Sequence, residues 1–121
     1  RGSDGQLVLE STPVSVTEID VVANDTAPAN PVLISATGAA GGTLTVKFTP
    51  DLGVNYWRTG LYRGAAGSDF ASATLVKWAY DTSAEVTMTA PIPTSGARFW
   101  LQSQNQSRVT SGATVVGNYP A

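Results

Sequence analysis

The sequence contains no cysteine and no histidine. Without cysteine no disulfide can staple the fold, and thiolate chemistry is closed to it. Without histidine, histidine-based triads and His-ligated zinc sites are closed as well. Charge is also scarce. Lys and Arg number 7 and Asp and Glu number 9, so charged residues make up 13% of the chain, about half the usual share. The formal net charge is −2. No basic patch exists to neutralise phosphates, so nucleic acid is not an expected partner. No apolar run approaches the roughly 20 residues of a membrane-spanning helix. With 9 acids in the chain, a glycosidase-like pair of carboxylates is formally open. None of them falls on an inward strand position, where burial would raise a pKa, so the expectation is a non-enzymatic protein.

What the chain has instead is Thr, Ser, Ala, Gly and Val, a mixture suited to strands and short turns. Its 121 residues suffice for one domain with a core. The clearest strand is Arg98–Ser107, RFWLQSQNQS. Phe99, Leu101, Ser103 and Asn105 point one way, and Trp100, Gln102 and Gln104 the other. That period of two predicts one dry face and one wet face, with Trp100 on the wet one. Similar runs follow one another at regular spacing: Val32–Ala36, Thr43–Thr49, Tyr56–Tyr62, Thr74–Tyr80, Glu85–Ala90 and Ala113–Gly117. In Thr43–Thr49, Leu44, Val46 and Phe48 point inward. In Tyr56–Tyr62, Trp57, Thr59 and Leu61 share one face and Tyr56, Arg58, Gly60 and Tyr62 the other. Turn signals separate the runs, among them Gly41-Gly42, Pro50-Asp51-Leu52-Gly53 and Asp81-Thr82-Ser83. No segment holds a 3.6-residue period, so essentially no α-helix is expected. Seven short strands in about 90 residues predict an all-β, antiparallel sandwich of immunoglobulin-like type.

The division expected is an N-terminal extension over 1–28 and a sandwich over 29–121. Gln6–Glu10 and Val14–Val22 have strand composition and read as the end of a preceding module or an added strand. Ala23–Pro31, ANDTAPANP, reads as a linker or a strand lead-in. The start on Arg1-Gly2-Ser3 without Met leads us to expect a piece of a longer protein.

The order of motifs resembles a fibronectin type III domain over roughly residues 29–119. Pro31 with Ile34 and Ala36 looks like that family's opening, and Leu44-Thr45-Val46-Lys47-Phe48 like its second strand. Trp57–Gly64 is similar to its third strand, and Phe99–Asn105 to its sixth. Phe48 stands where the family has a core Trp, and Phe99 where it has a corner Tyr. Asp69–Val76, after Tyr62-Arg63-Gly64, resembles fibronectin-type modules of bacteriophage tail and host-contact proteins. Thr26–Pro31 resembles linkers between repeats of bacterial adhesins. The resemblance implies a virion or extracellular, cell-surface location. It also implies a structural or adhesion module that spaces its neighbours or touches a host surface. The alternative is a carbohydrate-binding accessory module of a secreted enzyme or adhesin.

The expected binding surface is the wet face shared by Tyr56, Arg58, Tyr62, Trp100, Gln102 and Gln104. Rings stack on sugar faces while amides bind hydroxyls; the same residue types serve protein contacts, or simply stabilise a sheet. Neighbouring domains or subunits of one assembly, or a host-surface glycan, are the partners this surface would take. Trp57 is expected in the core, and the face of Trp78 is open. No cofactor is expected. Asp20, Asn24 and Asp25 are candidate calcium ligands near the start of the domain, although Asp and Asn there also read as turn formers. Asn24-Asp25-Thr26 and Asn105-Gln106-Ser107 fit the N-glycosylation pattern.

Overall fold

The computed structural model describes residues 26–121. The strand-like stretches expected at Gln6–Glu10 and Val14–Val22, and the calcium candidates Asp20, Asn24 and Asp25, lie outside the described residues. Seven strands follow in order: β1 Val32–Thr37, β2 Thr43–Thr49, β3 Arg58–Gly64, β4 Thr74–Ala79, β5 Val86–Pro91, β6 Gly96–Gln104 and β7 Thr114–Pro120. The helical content of the described residues is one 3-10 turn, Phe70–Ser72. The strands form two antiparallel sheets. One has three strands in the order β1-β2-β5, and the other four in the order β4-β3-β6-β7.

The alternation in the sequence builds the core directly. Leu44, Val46 and Phe48 of β2 and Val86, Met88 and Ala90 of β5 face Leu61 of β3, Ala97, Phe99 and Leu101 of β6 and Val116 of β7 in one apolar cluster. Residues from both sheets therefore meet in a single layer, which makes the pair a β-sandwich. Phe48, Leu44, Leu61, Phe99 and Leu101 are each 0% exposed. Burying one such side chain stabilises the fold by about 1.5–3 kcal/mol. The register keeps this face intact, with Val46 opposite Met88 and Leu61 opposite Leu101.

Two expectations are corrected. Trp57 is not in the core; it is half-buried and lies before β3, with its N–H donating to the Gln104 carbonyl at 3.0 Å. Tyr56 takes the inward place instead. Its hydroxyl reaches Thr59 Oγ1 at 2.9 Å, and it donates to the Ala79 carbonyl at 3.2 Å. The pleat thus slips by one residue where the ladder begins, and a slip of one exchanges the faces.

Trp100 is the second correction. It points to the outer side of the four-stranded sheet, as its parity requires, yet it is only 3% exposed. The connection between β3 and β4 folds back over it. Phe70, in the 3-10 turn, lies 5.8 Å from the Trp100 ring, centre to centre. The connection is held down by Arg98 Nη1 donating to the Ser68 carbonyl at 3.1 Å and by the Gly67 N–H donating to Asn118 Oδ1 at 2.7 Å. A Trp left in water would expose a large apolar surface, and one aromatic in an otherwise small-residue loop removes it.

One glycine is required by its backbone. Gly96 opens β6 at φ 88°, and a Cβ there would sit 2.5 Å from the Tyr119 carbonyl oxygen. Only glycine tolerates both demands.

Candidate functional site

The register brings five of the six expected surface residues onto one face. Arg58 is opposite Gln104, Gly60 opposite Gln102 and Tyr62 opposite Trp100. Tyr56 is turned inward and does not join them. The five do not form an open surface: Trp100 is covered, and Arg58, Gln102 and Gln104 spend polar groups on one another and on the backbone. Arg58 Nε donates to Gln104 Oε1 at 2.7 Å, and Gln102 Nε2 donates to the Ser111 carbonyl at 2.9 Å. Gln104 is 7% exposed.

What fills this face is a ladder of rings and cations. The Arg58 guanidinium lies between two indoles, 4.0 Å from the centre of Trp57 and 3.6 Å from that of Trp78. Its Nη1 donates to the Tyr80 hydroxyl at 3.1 Å. Arg108 lies over Trp57 at 5.8 Å and Arg98 over Trp100 at 5.3 Å. Tyr62 meets Trp78 edge-on at 6.4 Å and Phe70 at 5.2 Å. Arg is suited to this role because its planar, weakly hydrated head stacks on rings while donating at its edge. Trp78, whose face the sequence left open, is outward, and Gly60 makes room for it. A Cβ on Gly60 would come within 2.9 Å of Trp78, 2.9 Å of Leu75 and 2.8 Å of Tyr62.

Burial raises the pKa of Tyr62, an effect the nearby Arg58 charge partly opposes. Burial likewise raises that of Tyr56, which the Thr59 hydrogen bond lowers in part and the Asp81 charge raises further. Both are therefore neutral phenols at ordinary pH. Among the described residues, no three His, Cys, Asp or Glu side chains come together as a metal-holding group.

A second cluster lies where the chain arrives at the sandwich. Thr26–Pro31 is fastened to the body. Asn105 Nδ2 donates to the Thr26 carbonyl at 2.9 Å, the Ala29 N–H to Asp51 Oδ2 at 2.8 Å, and the Gly112 N–H to Asn30 Oδ1 at 2.8 Å. Thr114 Oγ1 donates to the Pro31 carbonyl at 2.6 Å. Pro28 and Pro31 are buried. Asn105 is 1% exposed, and its Oδ1 also accepts from the N–H groups of Ser107 and Val109. Its amide is thus committed, and the Asn105-Gln106-Ser107 pattern is closed to a glycan in the folded state. Sequence reasoning placed Asn105 on the inner face but missed its role. The signal was an amide at an inward position, which must find partners when buried.

No family model matches the chain, and comparison with the curated proteins and with the solved structures likewise returned no match.

Proposed function

We propose that this chain is a non-enzymatic spacer module that holds its neighbours apart in a fixed orientation. We place it in the fibronectin type III-like branch of immunoglobulin-like sandwiches, within an extended virion or cell-surface protein such as a phage tail component. The strand order β1-β2-β5 against β4-β3-β6-β7, with the chain crossing between the layers after β2, β4 and β5, supports that branch.

The observation that carries the reading is where the chain comes in and goes out. Thr26 is held by Asn105, just past the end of β6, whereas Pro120 pairs with Gly96, the first residue of β6. The whole length of that strand, roughly 27 Å at about 3.3 Å per residue, separates the two points. The incoming segment is also fastened at Thr26, Ala29, Asn30 and Pro31, so it cannot swivel as a free linker does. A module threaded end to end with a stiff junction transmits orientation as well as distance.

The test is backbone ¹⁵N relaxation on the full chain. Ala29 and Asn30 are expected to show order parameters of about 0.85, equal to those of β6. In a double variant, Asp51→Ala with Asn105→Ala, they are expected to fall while β2 and β5 stay ordered. Values below about 0.6 at Ala29 and Asn30 in the unaltered chain would overturn the reading.

A further inference from the structure

The edge strands β4 and β5 stand on the same side of the sandwich, one in each sheet, and a cleft of about 390 Å³ opens between them. That volume lies at the small end of ligand clefts, which run from roughly 300 to 1,000 Å³. Met88 and Ala79 line it from the core side, and Trp78 and Tyr80 from the outer face of the four-stranded sheet. Exposed polar groups complete the lining: Lys77 and Asp81 on one side, Thr87 and Thr89 on the other.

We propose that this cleft binds carbohydrate, as a single neutral sugar ring or the end of a short oligosaccharide. Three features select that chemistry. Tyr80 is 52% exposed, yet its ring is fixed: Arg58 Nη1 donates to its hydroxyl at 3.1 Å and Trp57 meets it edge-on at 6.0 Å. A ring already held in place offers an apolar sugar face a platform with little ordering cost. Around it stand one carboxylate, one ammonium and two hydroxyls, a balanced set of acceptors and donors for sugar hydroxyls. Lone Lys77 beside Asp81 gives no net positive charge to hold an anion. An added peptide strand is disfavoured as well. The β3–β4 register shifts between Leu61 and Tyr62, and Lys77 sits on the edge; bulges and edge lysines both impede strand addition.

This site is not the surface expected from sequence. That surface relied on Trp100, which is covered, and on Gln102 and Gln104, which are engaged within the fold. The proposal also stands apart from the spacer role, since neither needs the other.

The experiment is an NMR titration of the ¹⁵N-labelled full chain with methyl β-glucoside, methyl β-galactoside and triacetylchitotriose. At least one is expected to give saturable shifts confined to residues 77–81 and 87–89. Tyr80→Ala is expected to weaken that binding about tenfold. Because Tyr80 also supports Arg58, Asp81→Asn and Thr89→Val serve as surface variants, and each is expected to weaken binding with the rest of the spectrum unchanged. No saturable shift with any of the three sugars at about 10 mM overturns the proposal. So do shifts centred on Arg58 and Gln102, or full affinity in both surface variants.

Discussion

The guanidinium carbon of Arg58 lies 3.6 Å from the centre of the Trp78 ring. The centre of the Trp57 ring lies 4.0 Å from the same carbon, and Gln104 and Tyr80 take the N–H groups at the guanidinium edge. Lysine carries the same charge but lacks the plane and the second direction of donation. Arg58→Lys is therefore expected to lower stability by about 1–2 kcal/mol, read as a shift in the urea midpoint with the slope unchanged. A midpoint equal to that of the unaltered chain would mean the ladder adds nothing.

Gly60 provides the floor on which Trp78 and Tyr62 rest. Three side chains stand less than 3.0 Å from where its Cβ would be. Gly60→Ala is expected to cost about 1–3 kcal/mol through forced side-chain shifts. Gly67 has φ 79° but open space around its missing Cβ. Gly67→Ala bears only the conformational cost, about 1–2 kcal/mol, so a larger loss at Gly60 in the same melt separates crowding from strain.

Trp100 looks like a surface residue in sequence and behaves as a buried one. Trp100→Ala is expected to cost about 3–5 kcal/mol and to loosen the Ser68–Phe70 region, seen as faster hydrogen exchange at Gly67 and Ser68. Phe70→Ala uncovers the same ring and is expected to red-shift tryptophan emission without unfolding the sheets. If Trp100→Ala melts at the same temperature as the unaltered chain, the lid does not hold the fold.

Alkali should weaken the protein in a predictable window. Tyr56, Tyr62 and Tyr119 all have pKa values raised by burial above 10.0. The folded state keeps these protons more tightly than the unfolded chain. The stabilisation is complete below the unfolded value and is lost as pH rises past it towards the folded values. Urea midpoints are expected to be level from pH 7 to 9 and to fall between about pH 10 and 12. Tyr62→Phe and Tyr56→Phe should each flatten part of that fall.

Much of the sandwich was legible because its strands are simple. Leu44, Val46 and Phe48 alternate with Thr45 and Lys47, and one buried face leaves a single register open to them. The outer face was harder to read. Parity placed Arg58, Tyr62, Trp100, Gln102 and Gln104 together correctly, but it says nothing of what lies above a face. The cover on Trp100 comes from Phe70, thirty positions away in a loop without periodicity. Parity also failed at Tyr56 and Trp57, because strand β3 starts only at Arg58 and residues before a ladder need not follow its pleat. The fastening of Thr26 by Asn105 joins residues 79 apart in sequence. Such a bond follows from the completed fold rather than from any local pattern.

Because Thr26 is held beside Asn105 and Pro120 pairs with Gly96, a force applied at those two points runs along the strands. A pull at Thr26 draws β1 lengthwise past β2, and a pull at Pro120 draws β7 lengthwise past β6. In antiparallel ladders the hydrogen bonds lie across the strands, so a lengthwise load is shared by the whole row in shear. The sandwich would stretch only when an entire row gives way, rather than opening one bond after another like a zip.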